Sequence, residues 1–91
     1  MKKDYRVGIA GYGVVGKRRR DFIDKHPALK TVAVCDKLIN SRKNESDGII
    51  YMRKYKELLE TPLDILFVCL PNYLAAEVTK AGLEKIGRAH V

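Results

Sequence analysis

The sequence predicts an α/β fold in which three to four parallel strands are flanked by helices. Three observations carry this. The apolar run Val7-Gly8-Ile9-Ala10 leads directly into Gly11-Tyr12-Gly13-Val14-Val15-Gly16. A second β-like run, Thr31-Val32-Ala33-Val34-Cys35, closes on Asp36. The run Ile65-Leu66-Phe67-Val68-Cys69-Leu70 has no polar alternation, as in a parallel strand covered on both faces. A strand, a glycine turn, a helix start and a carboxylate about 20 residues further on compose a dinucleotide-binding βαβ unit.

Each part of that unit has a physical task. Gly11 allows the tight turn out of the strand, Gly13 removes a Cβ that would block a pyrophosphate, and Gly16 lets the helix pack close to the sheet. The free N–H groups near Val14 and Val15 then meet phosphate at the positive end of the helix dipole. Asp36 is placed to accept both ribose hydroxyls of an adenosine, which favours NAD. Lys37 beside it can attract a 2′-phosphate, so the choice between NAD and NADP stays open.

Beyond the turn, Val14, Val15, Phe22 and Ile23 recur at helical spacing as far as about Lys25, while Lys17, Arg18 and Arg20 can face water. Arg19 is expected to lay its stem against the sheet and send its head outward. His26-Pro27 stops the helix, and His26 reads as a helix-end residue rather than a general base. The polar, turn-rich segment Leu38 to Gly48 leaves little or no room for a second long helix. Ile49 to Met52 reads as a short strand. Arg53 to Glu60, with Leu58 and Leu59, reads as a short helix ended by Thr61-Pro62. Asp64 is a strand-start residue and Pro71-Asn72 ends the strand that follows. Tyr73 to Lys85 is a helix with Leu74, Val78 and Ala81 on one face and Glu77, Lys80 and Glu84 on the other. Tyr55 and Tyr73 read as packing residues. Tyr12 either covers the cofactor or is an exposed turn residue, and the sequence does not choose.

The chain has 91 residues, with 18 Lys+Arg against 11 Asp+Glu and a net charge of +7. This length makes one small domain at most. The charge draws the chain toward polyanions, and cofactor phosphates satisfy that as well as nucleic acid does. Lys17-Arg18-Arg19-Arg20 lacks interleaved aromatics and any nucleic-acid module, so it reads as a solvated helix face lying near the phosphate turn. No nucleic-acid partner is expected. No apolar run approaches a membrane span and the N-terminus lacks a signal-peptide stretch, so no membrane partner and a cytoplasmic location are expected. Cys35 and Cys69 fall on strands either side of the first, two strand spacings or about 9–10 Å apart, beyond disulfide reach. Both read as buried thiols. Without CxxC or a His cluster no metal site is expected.

These strings resemble the Gfo/Idh/MocA family of NAD(P)-dependent oxidoreductases, in its N-terminal Rossmann domain. The resemblance rests on Arg6 to Gly13, Val34-Cys35-Asp36, Tyr55 with Leu58-Leu59, Asp64 to Asn72, and Ala81-Gly82-Leu83-Glu84-Lys85. It implies a partial Rossmann fold over residues 1–85 and a cofactor role for Leu70, Pro71 and Asn72 beside the nicotinamide ribose. It also implies hydride transfer between a sugar or cyclitol hydroxyl carbon and nicotinamide in a larger, homo-oligomeric parent that binds a small-molecule substrate. Members often carry a His a few residues after the Asn, where this chain has Ala75 or Ala76. The family's Glu-Lys-Pro motif, with its catalytic Lys, and its substrate domain would follow this chain. No catalytic residue is therefore assigned and the chain alone is expected to be inactive. A different class, a non-catalytic redox-sensing nucleotide module, uses the same turn. Homoserine dehydrogenase shares a similar turn too, but the Leu-Pro-Asn block argues against it.

Family members would continue from Glu84-Lys85 as Gly-Lys-His-Val. This chain instead reads Ile86-Gly87-Arg88-Ala89-His90-Val91, the translation of a common sequencing adapter. Residues 86–91 are thus expected to be a non-native read-through tail. The outer edge of the Ile65–Leu70 strand is then expected to lie open, making the chain aggregation-prone or marginally stable.

Overall fold

The computed structural model describes residues 5–45, 47–86 and 89–90. In chain order these form β1 (Tyr5–Ala10), α1 (Val14–Lys25), β2 (Leu29–Cys35), β3 (Lys43–Asn44), β4 (Ile50–Met52), α2 (Tyr55–Glu60), β5 (Ile65–Val68), α3 (Asn72–Lys85) and β6 (Ala89–His90). One sheet takes the order β3-β4-β2-β1-β5-β6. All neighbours are parallel except β3, which runs antiparallel to β4. The four expected parallel strands are β1, β2, β4 and β5, with two-residue strands added at each edge. β6 pairs with β5 at Leu66 and Phe67, so the edge expected to lie open is bonded there. Gly87, Arg88 and Val91 of the suspected tail lie outside the described residues.

Strand alternation splits the core between the two faces of the sheet. Val7, Ile9, Val34 and Ile49 meet Ile23 of α1 on one face. Ala10, Ala33, Met52, Leu66 and Val68 meet Leu58 and Leu59 of α2 and Ala75 and Val78 of α3 on the other. Asp64 joins β1 to β5 at the strand start: its N–H donates to the Arg6 carbonyl and its carboxylate accepts from the Arg6 N–H, each at 2.8 Å. His26 caps the end of α1 and its Nδ1 accepts the Ala28 N–H at 3.0 Å, in keeping with a helix-end role. Between residues 38 and 48 the described chain holds turns and β3 rather than a helix.

Five expectations are corrected. Of the apolar residues at helical spacing in α1, only Ile23 is buried; Val14, Val15 and Phe22 are exposed, Phe22 at 72%. The reason is that α1 meets the sheet along Gly16 and Ile23, seven residues apart on one narrow line, and a Cβ at Gly16 would collide with the Gly11 carbonyl. β5 is not covered equally on both faces: Leu66 and Val68 are buried, but Ile65 and Phe67 are half-buried because α1 lies over β1 and β2. The Arg19 guanidinium, expected to turn outward, instead lies over the Phe67 ring of β5, 5.9 Å from its centroid. Cys69, just past β5, is half-buried rather than buried. Tyr73 is 77% exposed and belongs to neither core cluster, lining a cavity at the start of α3 instead. Tyr55 does bridge elements, its phenol donating to Glu77 of α3 at 2.7 Å.

Candidate functional site

The glycine turn is fixed by three strands ending at one level. The Ala10 carbonyl accepts the Cys69 N–H at 2.7 Å, and the Gly11 N–H donates to the Cys35 carbonyl at 2.8 Å. Gly11 then adopts φ +96°, and a Cβ there would collide with the Cys69 carbonyl. Only glycine satisfies both conditions at low cost. Gly13 is different: its φ is −88° and no other protein atom comes within 4 Å of where its Cβ would stand. That open position borders the groove, so the fold itself does not require glycine there.

Val14 opens α1, and Gly13, its cap, offers no side chain to the free N–H groups. The first turn also carries no acidic residue. The helix N-terminus is thereby left to attract an anion. A cavity of about 590 Å³ runs from Gly11 and Gly13 past Asp36 and Lys37 to Leu70 and Pro71. The structure thus brings the turn, Asp36, Lys37, Leu70 and Pro71 around one groove at the carboxyl ends of the strands. Asn72 begins α3 beside them, and of its side chain nothing is described. Val14 lines the far side, in a second cavity of about 830 Å³ with Tyr12, Lys17 and Lys43. Val15 lines neither of these cavities.

Asp36 stands between the two cavities. Its Oδ2 accepts the Tyr12 N–H at 2.8 Å and its Oδ1 accepts the Leu38 N–H at 2.9 Å. These bonds hold the carboxylate at the groove wall, with lone pairs still available to hydroxyls. Sequence reasoning missed three cations of the same groove, Arg53, Lys54 and Lys56. Their signal was position: they follow β4 at the carboxyl edge of the sheet, where ligands of open α/β folds sit.

Tyr12 does not lie over the groove. Its ring packs edge-on to Tyr51, with centroids 5.8 Å apart, and its phenol accepts from Arg20 Nη1 at 2.8 Å. Arg20, expected to face water, is instead a partly buried hub that also bonds Asp24, Tyr51 and Asp47. Burial opposes the Arg20 charge, but the bonds to Tyr12 and Asp24 hold its pKa above the ordinary value. Burial, reinforced by the bond to Asp47, pushes the Tyr51 phenol up to about 12. The Ile49 N–H, followed by the Tyr51 phenol, holds the Asp47 carboxyl below the ordinary range.

Burial pushes the Cys35 thiol up to about 11 and also raises Cys69. Neither is an activated nucleophile near neutral pH. Among the described residues no group of three or more His, Cys, Asp or Glu is placed to hold a metal ion. Among the described residues no helix is long and apolar enough to cross a membrane.

A parallel sheet, an uncapped helix behind a glycine turn and a carboxylate at the end of the second strand define a dinucleotide-binding α/β domain. The chain belongs to the GFO_IDH_MocA oxidoreductase family, whose model describes an NAD-binding Rossmann fold and matches residues 5–91. It is 32% identical over 88 residues to the uncharacterized oxidoreductase YrbE of Bacillus subtilis (strain 168), covering 92% of this chain and 26% of that protein. Among solved structures it is similar to the WlbA dehydrogenase from Bordetella pertussis in complex with NADH and UDP-GlcNAcA. That match has a TM-score of 0.74 at 18% identity, over 96% of this chain and 27% of that one. It is also similar to RSP, a Rex-family repressor, with a TM-score of 0.70 at 15% identity, over 91% of this chain and 42% of that one. At these identities the structural matches speak for the fold alone. The chain spans about a quarter of the length of the curated relative it matches.

Proposed function

We propose that this chain is the cofactor-binding part of an oxidoreductase and that it takes NAD in preference to NADP. The observation that carries the reading is the Asp36 carboxylate, held by the Tyr12 and Leu38 N–H groups at the wall of the groove that starts from the uncapped end of α1. The residues fit the cofactor: the open position at Gly13 admits a pyrophosphate, the α1 N–H groups and Lys54 receive its charge, and Asp36 accepts ribose hydroxyls. A 2′-phosphate would bring negative charge against Asp36, and one exposed Lys37 offsets this incompletely. Leu70, Pro71 and Asn72 take the nicotinamide side.

A bound nicotinamide supplies the hydride acceptor or donor; this chain's residues bind and orient it. For the whole protein we infer a sugar or cyclitol alcohol as substrate, supported by the family resemblance and by the nucleotide sugar in the WlbA complex. Hydride transfer then relies on a Lys and a substrate domain outside this chain, and the chain alone binds without turnover.

The test is a titration of the chain with NADH and NADPH, followed by nicotinamide fluorescence. NADH is expected to bind at least about tenfold more tightly, the worth of one charge-assisted hydrogen bond replaced by repulsion. Equal affinity, or tighter NADPH, would refute the preference, and binding of neither would refute the function. The likeness to a Rex-family repressor fits a redox-sensing module equally well in fold. A sensor must discriminate redox states, so a large NADH-over-NAD preference by the chain would favour that reading over the enzyme.

A further inference from the structure

Arg20 lies one helical turn and more from the phosphate-binding end of α1 and touches neither the Gly13 turn backbone nor Asp36. It nevertheless binds four groups, in α1, the β1–α1 turn, the β3–β4 connection and β4. Nε donates to Asp24 at 3.2 Å within α1, Nη1 donates to the Tyr12 phenol at 2.8 Å and to the Tyr51 phenol at 3.4 Å, and Nη2 donates to Asp47 at 3.4 Å. Tyr51 closes the ring by donating to Asp47 at 2.7 Å. A planar guanidinium with five donors is suited to this fan of acceptors, and an ammonium is not.

The turn itself gives Arg20 its importance. Gly11 and Gly13 have no side chains, so between β1 and α1 the turn can be anchored sideways only through Tyr12. The Tyr12 ring is held at its tip by Arg20 and on its edge by Tyr51, while its own backbone N–H donates to Asp36 Oδ2 at 2.8 Å. Fixing the ring fixes the peptide plane that aims this N–H. A line of two hydrogen bonds thus runs from the guanidinium to the carboxylate at the groove wall. From this we infer that Arg20 is a positioning residue for the ribose-binding carboxylate, acting through Tyr12 and tying the cofactor turn to the β3–β4 connection.

This inference rests on the cofactor reading above, and its test separates the two. The full chain is titrated with NAD and with the analogue lacking the 2′-hydroxyl of the adenosine ribose, for wild type, Arg20→Ala, Arg20→Lys and Tyr12→Phe, with circular dichroism confirming folding. Wild type is expected to prefer NAD about tenfold, the scale of a hydrogen bond to a charged group. In Arg20→Ala, NAD binding is expected to weaken about tenfold while the analogue changes by less than about twofold, so the preference disappears. Arg20→Lys should not restore it. Tyr12→Phe, which keeps the ring and removes one oxygen, should reduce it, and this variant carries the test if Arg20→Ala does not fold. A merely structural role predicts equal weakening of both ligands; that result, or an intact preference in the variants, overturns the inference. Wild type that binds no NAD, or binds it without a 2′-hydroxyl preference, overturns the site reading together with the inference.

Discussion

Gly11 and Gly13 sit two residues apart in one turn, yet the fold constrains only the first; we propose that the second is constrained by the cofactor, and alanine at each position separates the two. At Gly11 the backbone has φ +96°, and the new Cβ would meet the Cys69 carbonyl and come to 2.9 Å from Leu70 Cδ2. The unfavourable dihedral costs about 1–3 kcal/mol. Displacing backbone that is itself bonded to Ala10 adds about 1–3 kcal/mol of overpacking. The sum, roughly 2–6 kcal/mol, compares with a total stability of roughly 5–14 kcal/mol for a chain of this size. With a urea slope of about 1–3 kcal/mol/M, the midpoint should fall by at least about 0.7 M. Gly13→Ala meets ordinary φ and open space, so its midpoint should move by less than about 1 kcal/mol equivalent. Its NAD affinity should instead fall about ten- to hundredfold, the worth of displacing phosphate from a charge-assisted bond to backbone N–H. Urea unfolding followed by circular dichroism, paired with NADH titration, measures both. Gly13→Ala that binds NADH normally, or that loses as much stability as Gly11→Ala, would refute the division of roles.

Three further outcomes follow from the same structure. Because the folded Tyr51 phenol titrates at about 12 against an ordinary 10, its contribution to stability is fully present below pH 10 and is lost as pH rises toward 12. Melting temperature against pH should fall in that window, and Tyr51→Phe should flatten the fall; an unchanged slope would show the phenol is not perturbed. With its thiol buried and pushed up to about 11, Cys35 should react with an alkylating reagent at pH 8 far more slowly than half-buried Cys69, and equal rates by peptide mass spectrometry would contradict this. Finally, we propose that residues 86–91 are adapter read-through, so sequencing the source gene beyond the codon for Lys85 should return a continuing strand and Glu-Lys-Pro. Recovery of the same hexapeptide and a stop would refute it.

What was legible in the sequence was what depends on near neighbours. The turn from β1 to α1, the carboxylate closing β2 and the short α2 before Pro62 are each specified by residues within a few positions of one another. The groove followed, since parallel strands bring Asp36 and Leu70-Pro71 to one edge. Arg20 escaped because its acceptors Tyr12, Asp47 and Tyr51 lie 8, 27 and 31 positions away, and a basic run on a helix looks solvated until the β3–β4 connection folds over it. Phe22 misled for a related reason. Helical periodicity marks a stripe, but Gly16 and Ile23 decide which line of that stripe touches the sheet. Arg53, Lys54 and Lys56 gave no motif; only the end of β4 gathers them at the groove.

The clasp at the end of β1 also sets how much order a ligand must impose. The Gly11 and Cys69 amides are bonded to the strands beside them, so freeing them requires opening the middle of the sheet, and their exchange with solvent is expected to follow the slow global route. The α1 N–H groups a few atoms away have no such lock. In the binding mode proposed above, an arriving phosphate would therefore quiet only the helix start and find the turn already arranged, which would keep the entropy lost on binding small. The seat for the cofactor is built by the same bonds that close the centre of the sheet.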